Sequence, residues 1–286
     1  MNIQKFHLNC GTLRPFGLFP LSTIPLSGRG KYFQKGLGVI HCLLLDTGAG
    51  LILVDTGYGT RDVTHPTRFV KIFNKVIGSI NDLEETALHQ VRALGYDPAD
   101  VKHIFLTHMH LDHTGGLPDF PLAKVHVYQA EHDIAMHGSG FISNFYIDQH
   151  WAHGPDWEIH TTLGDQWHDL DCTPEYEFNN IRIFFVPMTG HSPGNCMVVF
   201  QLPDNAVIVH GGDTFYYSGQ LAPDGPIRPP FHWVVQLFNL FNPVTRAFFE
   251  HENTLRRLKI ELGDKLTIFS SHDPNEYERL SGKLLD

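Results

Sequence analysis

Six consecutive positions, His108-Met109-His110-Leu111-Asp112-His113, carry three imidazoles and a carboxylate, a density of ligand atoms that ordinary surface loops have no use for. Neutral imidazole and carboxylate are the groups that hold Zn²⁺ and similar borderline divalent ions. Alternation along an extended loop puts His108 and His110 on one side, so Asp112 and His113 aim elsewhere. One tetrahedral ion does not comfortably take all four from so short a loop, which favours two neighbouring metals. The bland alternative, a histidine-rich loop arising by accident, keeps some weight in a chain with 20 histidines among 286 residues.

Length and composition narrow the rest. A chain this long can bury a large core, and with no low-complexity linker the expectation is one domain over 1–286. The formal charge of −10 disfavours a nucleic-acid backbone or an anionic membrane as partner and favours small-molecule substrates. Cysteines at 10, 42, 172 and 196 form no C-x-x-C pair, so reduced thiols are expected. With no stretch approaching a membrane span and no signal-like apolar run after Met1–His7, a cytoplasmic location is the default.

Along the chain, Phe6–Leu13 reads as a strand, and Val39–Leu45 with Leu51–Val54 reads as a buried hairpin ending at Asp55. Asp82–Gly95 has helical spacing, with Asp82 as expected N-cap, Glu85 three later and Gly95 as the stop. Strands are expected around 103–106, 124–128, 181–186, 197–200, 207–209 and 266–269, helices at 130–137 and after Pro274. Four candidate ligand segments, at His108, His191, Asp213 and His272, each follow an apolar strand, which would bring scattered ligands to one rim of a β scaffold. His126, His132 and His137 are extra histidines that this set does not need, and His89 and His103 read as bystanders. Three stretches, 14–36, 138–168 and 218–249, are irregular, Gly/Pro-rich or aromatic enough to be active-site loops. Phe16, Leu18, Phe19 and Phe33 in the first, and the apolar run from Phe231 to Phe249 in the last, would serve equally as core cover or as a pocket wall for an acyl chain. The aromatic excess leaves room for a homodimer.

The metal loop, preceded by Ile104-Phe105-Leu106 and followed by Gly115-Gly116, resembles that of the metallo-β-lactamase superfamily. Asp55 in Leu-Val-Asp-Thr-Gly, His191 in Thr-Gly-His-Ser-Pro-Gly, Asp213 in Gly-Gly-Asp-Thr and His272 in Ser-Ser-His-Asp match its other motifs in order. The resemblance implies an α/β (α+β) fold, a four-layer αββα sandwich. It also implies two divalent ions, zinc foremost with Mn, Fe or Co as alternatives. His108, His110 and His191 would hold one, Asp112, His113 and His272 the other, with Asp213 bridging and Asp55 orienting a ligand histidine from beneath. A hydroxide shared by the metals would then attack a carbonyl carbon.

Within the superfamily, Asp213 stands where one β-lactamase class has a metal-binding cysteine, which argues against antibiotic degradation. His110 stands where redox-active diiron relatives usually carry Glu. Tyr216, three residues after Asp213, makes the chain look similar to the N-acyl homoserine lactone lactonases, in which a tyrosine at that spacing hydrogen-bonds the substrate carbonyl; it would join Asp112 and Asp213 as a catalytic residue, although an ordinary loop tyrosine fits the sequence equally. The alternatives are an esterase, a glyoxalase II-like thioesterase or a phosphodiesterase, and, in another class, a non-catalytic metal-binding module. No basic C-terminal motif for glutathione is evident, and the acidic balance argues against RNA.

Overall fold

The computed structural model describes residues 3–14, 37–140, 142–224 and 245–285, the side chains of 142 and 245–249 excepted. Most of 14–36 and 218–249 therefore lies outside the described residues, including Phe16, Leu18, Phe19, Phe33 and the apolar run up to 244.

The first sheet has six strands in the order β1 (Gln4–Leu13), β2 (Gly38–Asp46), β3 (Leu51–Val54), β4 (Val101–Phe105), β5 (Lys124–Tyr128) and β6 (Asp156–His160). The expected hairpin is β2–β3, with Leu43 opposite Val54. From β3 to β6 every pairing is parallel, and parallel neighbours need crossover segments. The crossovers carry α1 (Thr60–Thr64), α2 (Arg68–Ile77), α3 (Ala87–Ala93), α4 (Leu111–Thr114) and α5 (Gln129–His137).

Next along the chain, β7 (Asp165–Trp167) and β8 (Leu170–Cys172) form a small hairpin. The second sheet follows as β9 (Tyr176–Phe178), β10 (Ile181–Pro187), β11 (Cys196–Gln201), β12 (Val207–His210) and β13 (Leu266–Phe269), ordered β13-β12-β11-β10-β9. Before β13 lies α6 (Thr245–Leu262), and after it α7 (Pro274–Ser281).

Side chains alternate across each strand, and that period fixes the layers. Leu43, Leu45, Ile52, Val54 and Phe105 face Ile183, Phe185, Val198, Phe200 and Ile208 between the sheets. Their neighbours in sequence point outward: Cys42, Leu44, Leu51 and Leu53 pack under Val70, Ala87 and Val91 of α2 and α3. Phe184, Val186, Met197 and Val199 pack under Leu255 and Leu258 of α6. Both faces of the strands are thus buried, the four-layer αββα arrangement that the motifs imply. Each fully buried Leu, Ile, Val or Phe contributes on the order of 1.5–3 kcal/mol, and truncating one such as Phe200→Ala would cost about 3–5 kcal/mol.

Two local expectations need correction. The helix expected over 82–95 is split: Asp82 accepts from the Glu84 N–H and caps only a 3₁₀ turn, Leu83–Glu85, while the N-cap of α3 is Thr86. Glu85 makes no capping box because its carboxylate is taken by Thr12, whose backbone N–H donates at 2.7 Å. The stretch 138–168 is less irregular than its composition suggests. Its middle supplies the edge strand β6, with Trp157 packed on the first core, and Trp167 belongs to the core beneath α6.

Candidate metal centre

Parallel pairing of β3 with β4 and of β12 with β13, and antiparallel pairing of β11 with both β10 and β12, point the C-terminal ends of β3, β4, β10, β12 and β13 to one rim. Backbone bonds join the sheets there: the Cys196 N–H donates to the Thr107 carbonyl at 2.9 Å, and the His41 N–H to the Ser271 carbonyl at 2.8 Å. The segments carrying Asp55, His108 to His113, His191, Asp213 and His272 leave those five ends. All seven expected ligands meet there.

They meet in three overlapping groups whose potential ligand atoms lie within 4.8 Å of one another: His108, His110 and His191; Asp112, His113 and His272; and His108, His113 and Asp213. The Asp213 carboxylate sits between the first two, 3.3 Å from His191 Nε2, 3.2 Å from His272 Nε2 and 3.6 Å from His113 Nε2. His110 Nδ1 is 2.9 Å from His191 Nε2, near the spacing of two nitrogens sharing an ion at Zn–N of ~2.0–2.1 Å.

Outer partners set which ring nitrogen faces inward. His113 Nδ1 donates to Asp55 Oδ2 at 2.8 Å, His272 Nδ1 to the Val39 carbonyl at 2.9 Å, and His191 Nδ1 lies 2.8 Å from the Tyr216 hydroxyl. Thr107 donates its hydroxyl proton to Asp55 Oδ2 and is placed to accept from His108 Nδ1 at 3.2 Å. These assignments leave Nε2 lone pairs turned into the cluster. His108 Nε2, His110 Nε2, His113 Nε2 and Asp213 Oδ1 are all buried without a hydrogen-bond partner among the described residues. Uncompensated buried polar atoms are costly, and three of these residues, His108, His113 and Asp213, form one group within 4.8 Å that fits a divalent cation, while His110 faces His191 through Nδ1.

The electrostatics agree. Burial works against a charge on Asp213, but His272 and His191 outweigh it and hold the carboxyl well below its ordinary range. Burial would likewise lower His113, yet Asp112, Asp55 and Asp213 bring it to about 10. His272 is brought to about 9 in the same way, chiefly by Asp213. Burial and the neighbouring rings keep His108 and His110 well below the usual imidazole range. The centre is a place where fixed carboxylates hold positive charge.

Asp55 is the keystone beneath. It is 1% exposed and takes a left-handed φ of 54°. Besides His113 it accepts from the Thr107 N–H at 2.8 Å, so one carboxylate fixes the start of the metal loop and one ligand ring. Thr56 donates its N–H and its hydroxyl to the His113 carbonyl, each at 2.9 Å. The Gly115 position admits no side chain, since a Cβ there would lie 2.1 Å from Asp62 Oδ2.

On the open side, the rings of Phe145 and Tyr146 pack on His110 at 5.5 and 5.0 Å between centroids, so part of 138–168 does reach the cluster. Tyr216 lies parallel to His272 at 6.3 Å. His89 sits instead on Thr86, His132 on Trp157 and His137 on the Asp133 carbonyl, away from the cluster. Sequence reading missed three supporting residues: Glu131, which accepts from the loop backbone, and the pair His150–Asp62, 2.9 Å apart, with His150 also 2.9 Å from Thr114. An acidic residue in the first turn after a strand was the only signal for Glu131.

Residues 36–272 match the model of the metallo-beta-lactamase superfamily. The chain belongs to that superfamily, and it is a metal-dependent hydrolase. A probable metallo-hydrolase of Mycobacterium tuberculosis is 33% identical over 96% of this chain and 82% of its own length. The N-acyl homoserine lactonase AttM of Rhizobium radiobacter is 28% identical over 75% of this chain and 77% of its own. Among solved structures, an N-acyl homoserine lactone hydrolase with N-hexanoyl-L-homoserine at its catalytic metal center superposes with a TM-score of 0.67 at 18% identity, covering 100% of this chain and 98% of that one. AidC, a dizinc quorum-quenching lactonase, superposes at 0.61 with 20% identity, covering 96% and 88%. At those identities the structural likeness speaks for the fold. No helix among the described residues is long and apolar enough to cross a membrane.

Proposed function

We propose that this hydrolase opens lactones of the acyl homoserine lactone type at a centre of two divalent ions. Zinc is the first candidate, and Mn, Fe or Co suit the same nitrogen and oxygen donors. The observation that carries the reading is the pair of three-residue groups with Asp213 between them, where His108 Nε2, His113 Nε2 and Asp213 Oδ1 are buried without a hydrogen-bond partner among the described residues. His108, His110 and His191 would hold one ion, and Asp112, His113 and His272 the other, with Asp213 shared. Bound there, the ions would supply a nucleophile from water near neutral pH and polarise a carbonyl oxygen.

The protein's own groups would do the rest. Asp213 and Asp112 balance the charge of the centre, and Asp55 holds His113 in the tautomer that presents Nε2. Tyr216 accepts from His191 Nδ1 in the arrangement that turns Nε2 inward, so its own proton is not consumed by that bond. That hydroxyl would donate to the substrate carbonyl as negative charge develops on it, the role of an oxyanion donor. Burial raises the phenol well above its ordinary pKa, which keeps it a donor. The lactone class is supported by the relatives named as lactonases.

The test is ring opening of acyl homoserine lactones of several chain lengths by metal-loaded protein, followed by proton release, with Asp213→Ala as control. Turnover that disappears in the control is expected. Metal uptake without lactone turnover would sink the lactone assignment; hydrolysis of esters, thioesters or phosphodiesters by the same preparation would reassign the substrate, and none at all would identify a silent metal-binding module.

A further inference from the structure

Glu131, in the first turn of α5, is a carboxylate 1% exposed with no cationic side chain paired to it among the described residues. It is instead surrounded by donors. Oε1 accepts from the Met109 N–H at 2.9 Å and the Tyr146 hydroxyl at 3.1 Å; Oε2 accepts from the Ser192 hydroxyl at 2.7 Å and the Gly194 N–H at 3.0 Å. Burial raises its pKa, and all four donors work against that rise.

The origin of those donors is informative. Met109 lies between His108 and His110, Ser192 directly follows His191, Gly194 closes the same turn, and Tyr146 packs its ring on His110. One carboxylate therefore gathers the two separate chain segments that carry the three-histidine group, 81 residues apart between His110 and His191. The turn is pressed onto α5 as well, since a Cβ on Gly194 would lie 2.2 Å from the Glu131 backbone nitrogen. Among the described residues no hydrogen bond links Glu131 to the Asp112, His113 and His272 group, which Asp55 and Val39 orient.

We propose that Glu131 is a positioning residue that sets the separation of the His108/His110 loop from the His191 turn, and thereby the affinity and geometry of the three-histidine ion site alone. This rests on the metal-centre reading above. Carboxylate is the side chain suited to four converging donors, because it accepts at both oxygens and donates at neither. Glutamine has nearly the same shape, but its NH₂ would face the backbone N–H of either Met109 or Gly194, neither of which can turn to accept.

The experiment titrates metal-free protein with Co²⁺, reading d–d absorption and stoichiometry, for the native chain, Glu131→Gln, Ser192→Ala and Tyr146→Phe, with circular dichroism to check the fold. The native protein should take two ions. Glu131→Gln should lose affinity for one of them by about 10–100-fold, as outer partners of metal ligands typically do. The cobalt band of that site should change while the other ion binds as before. Ser192→Ala, which removes one donor of four, should shift the same site by a few-fold in the same direction, and it decides the matter if the glutamine variant does not fold. Unchanged affinities and spectra in folded variants, with only a lower melting temperature, would overturn the positioning role and reduce Glu131 to a structural clamp. Failure of the native chain to bind two ions would instead strike the metal-centre reading beneath it.

Discussion

Two sets of buried histidines sit in this molecule and are used in opposite ways. At the rim, His113, His191 and His272 each turn Nδ1 to an oxygen and Nε2 inward, toward one another and toward Asp213. Across β4, β5 and β6, by contrast, the rings run nitrogen to nitrogen: His103 Nδ1 meets His126 Nε2 at 3.0 Å, and His126 Nδ1 meets His160 Nε2 at 2.9 Å. His126 is also stacked on Phe105 at 4.1 Å. A second such contact joins His7 to His41 at 2.8 Å, with His41 Nδ1 left without a partner among the described residues. Burial is alike in the two sets. One nitrogen-to-nitrogen contact occurs at the rim too, His110 Nδ1 to His191 Nε2. What separates the sets is that rim rings have oxygen partners behind them and the carboxylates of Asp112 and Asp213 before them.

That contrast breaks first at Asp213. Asp213→Ala should abolish lactone turnover and weaken both ions by more than the ~100-fold typical of outer-shell changes, because it removes a shared donor; metal analysis after gel filtration, beside the kinetic assay, checks this. Tyr216→Phe should keep the metals bound but lower kcat on the order of 10²-fold, as loss of one oxyanion donor does. Unchanged turnover would return Tyr216 to the status of an outer partner of His191.

Asp55→Ala should cost about 10–100-fold in affinity for the ion of the His113 group. It should also cost about 1–3 kcal/mol of stability, since the Thr107 N–H is left buried and unpaired. Isothermal metal titration and urea melts read the two effects separately. At the other extreme, His126→Phe should leave metal content and turnover unchanged while losing about 1–3 kcal/mol from unpaired ring partners. A loss of metal in that variant would erase the distinction between the two sets.

The ring chains also carry a pH signature. Burial lowers His7 to about 4 and His126 to about 2, against 6.5 when unfolded. Below 6.5 the unfolded chain therefore binds protons that the folded one refuses. The stabilisation these groups give is present above about pH 6.5 and is lost as pH falls toward 4, and beyond that for His126. Urea melts of metal-free protein over that range should show the decline, and His126→Phe should flatten it.

Much of this was legible in the chain. Five motifs, each after an apolar run, mark the rim because parallel strands of two sheets must end together there, and short strands such as Lys124–Tyr128 and Leu266–Phe269 fall where alternation places them. Other features depend on tertiary partners. Asp82 reads as a helix cap until Thr12 claims Glu85. Trp157 reads as loop until β5 offers an edge to pair with. Glu131 looks like any charged residue of a polar helix, because nothing in Gln-Ala-Glu-His announces that Met109, Tyr146, Ser192 and Gly194 will converge on it. The histidines show the same limit, since composition alone does not separate His126 from His113.

The most direct test is anomalous diffraction from crystals grown with zinc. Two peaks are predicted, one bounded by His108, His110 and His191 and the other by Asp112, His113 and His272, with Asp213 reaching both. A single peak, or a peak on the His103–His126–His160 chain, would contradict the account.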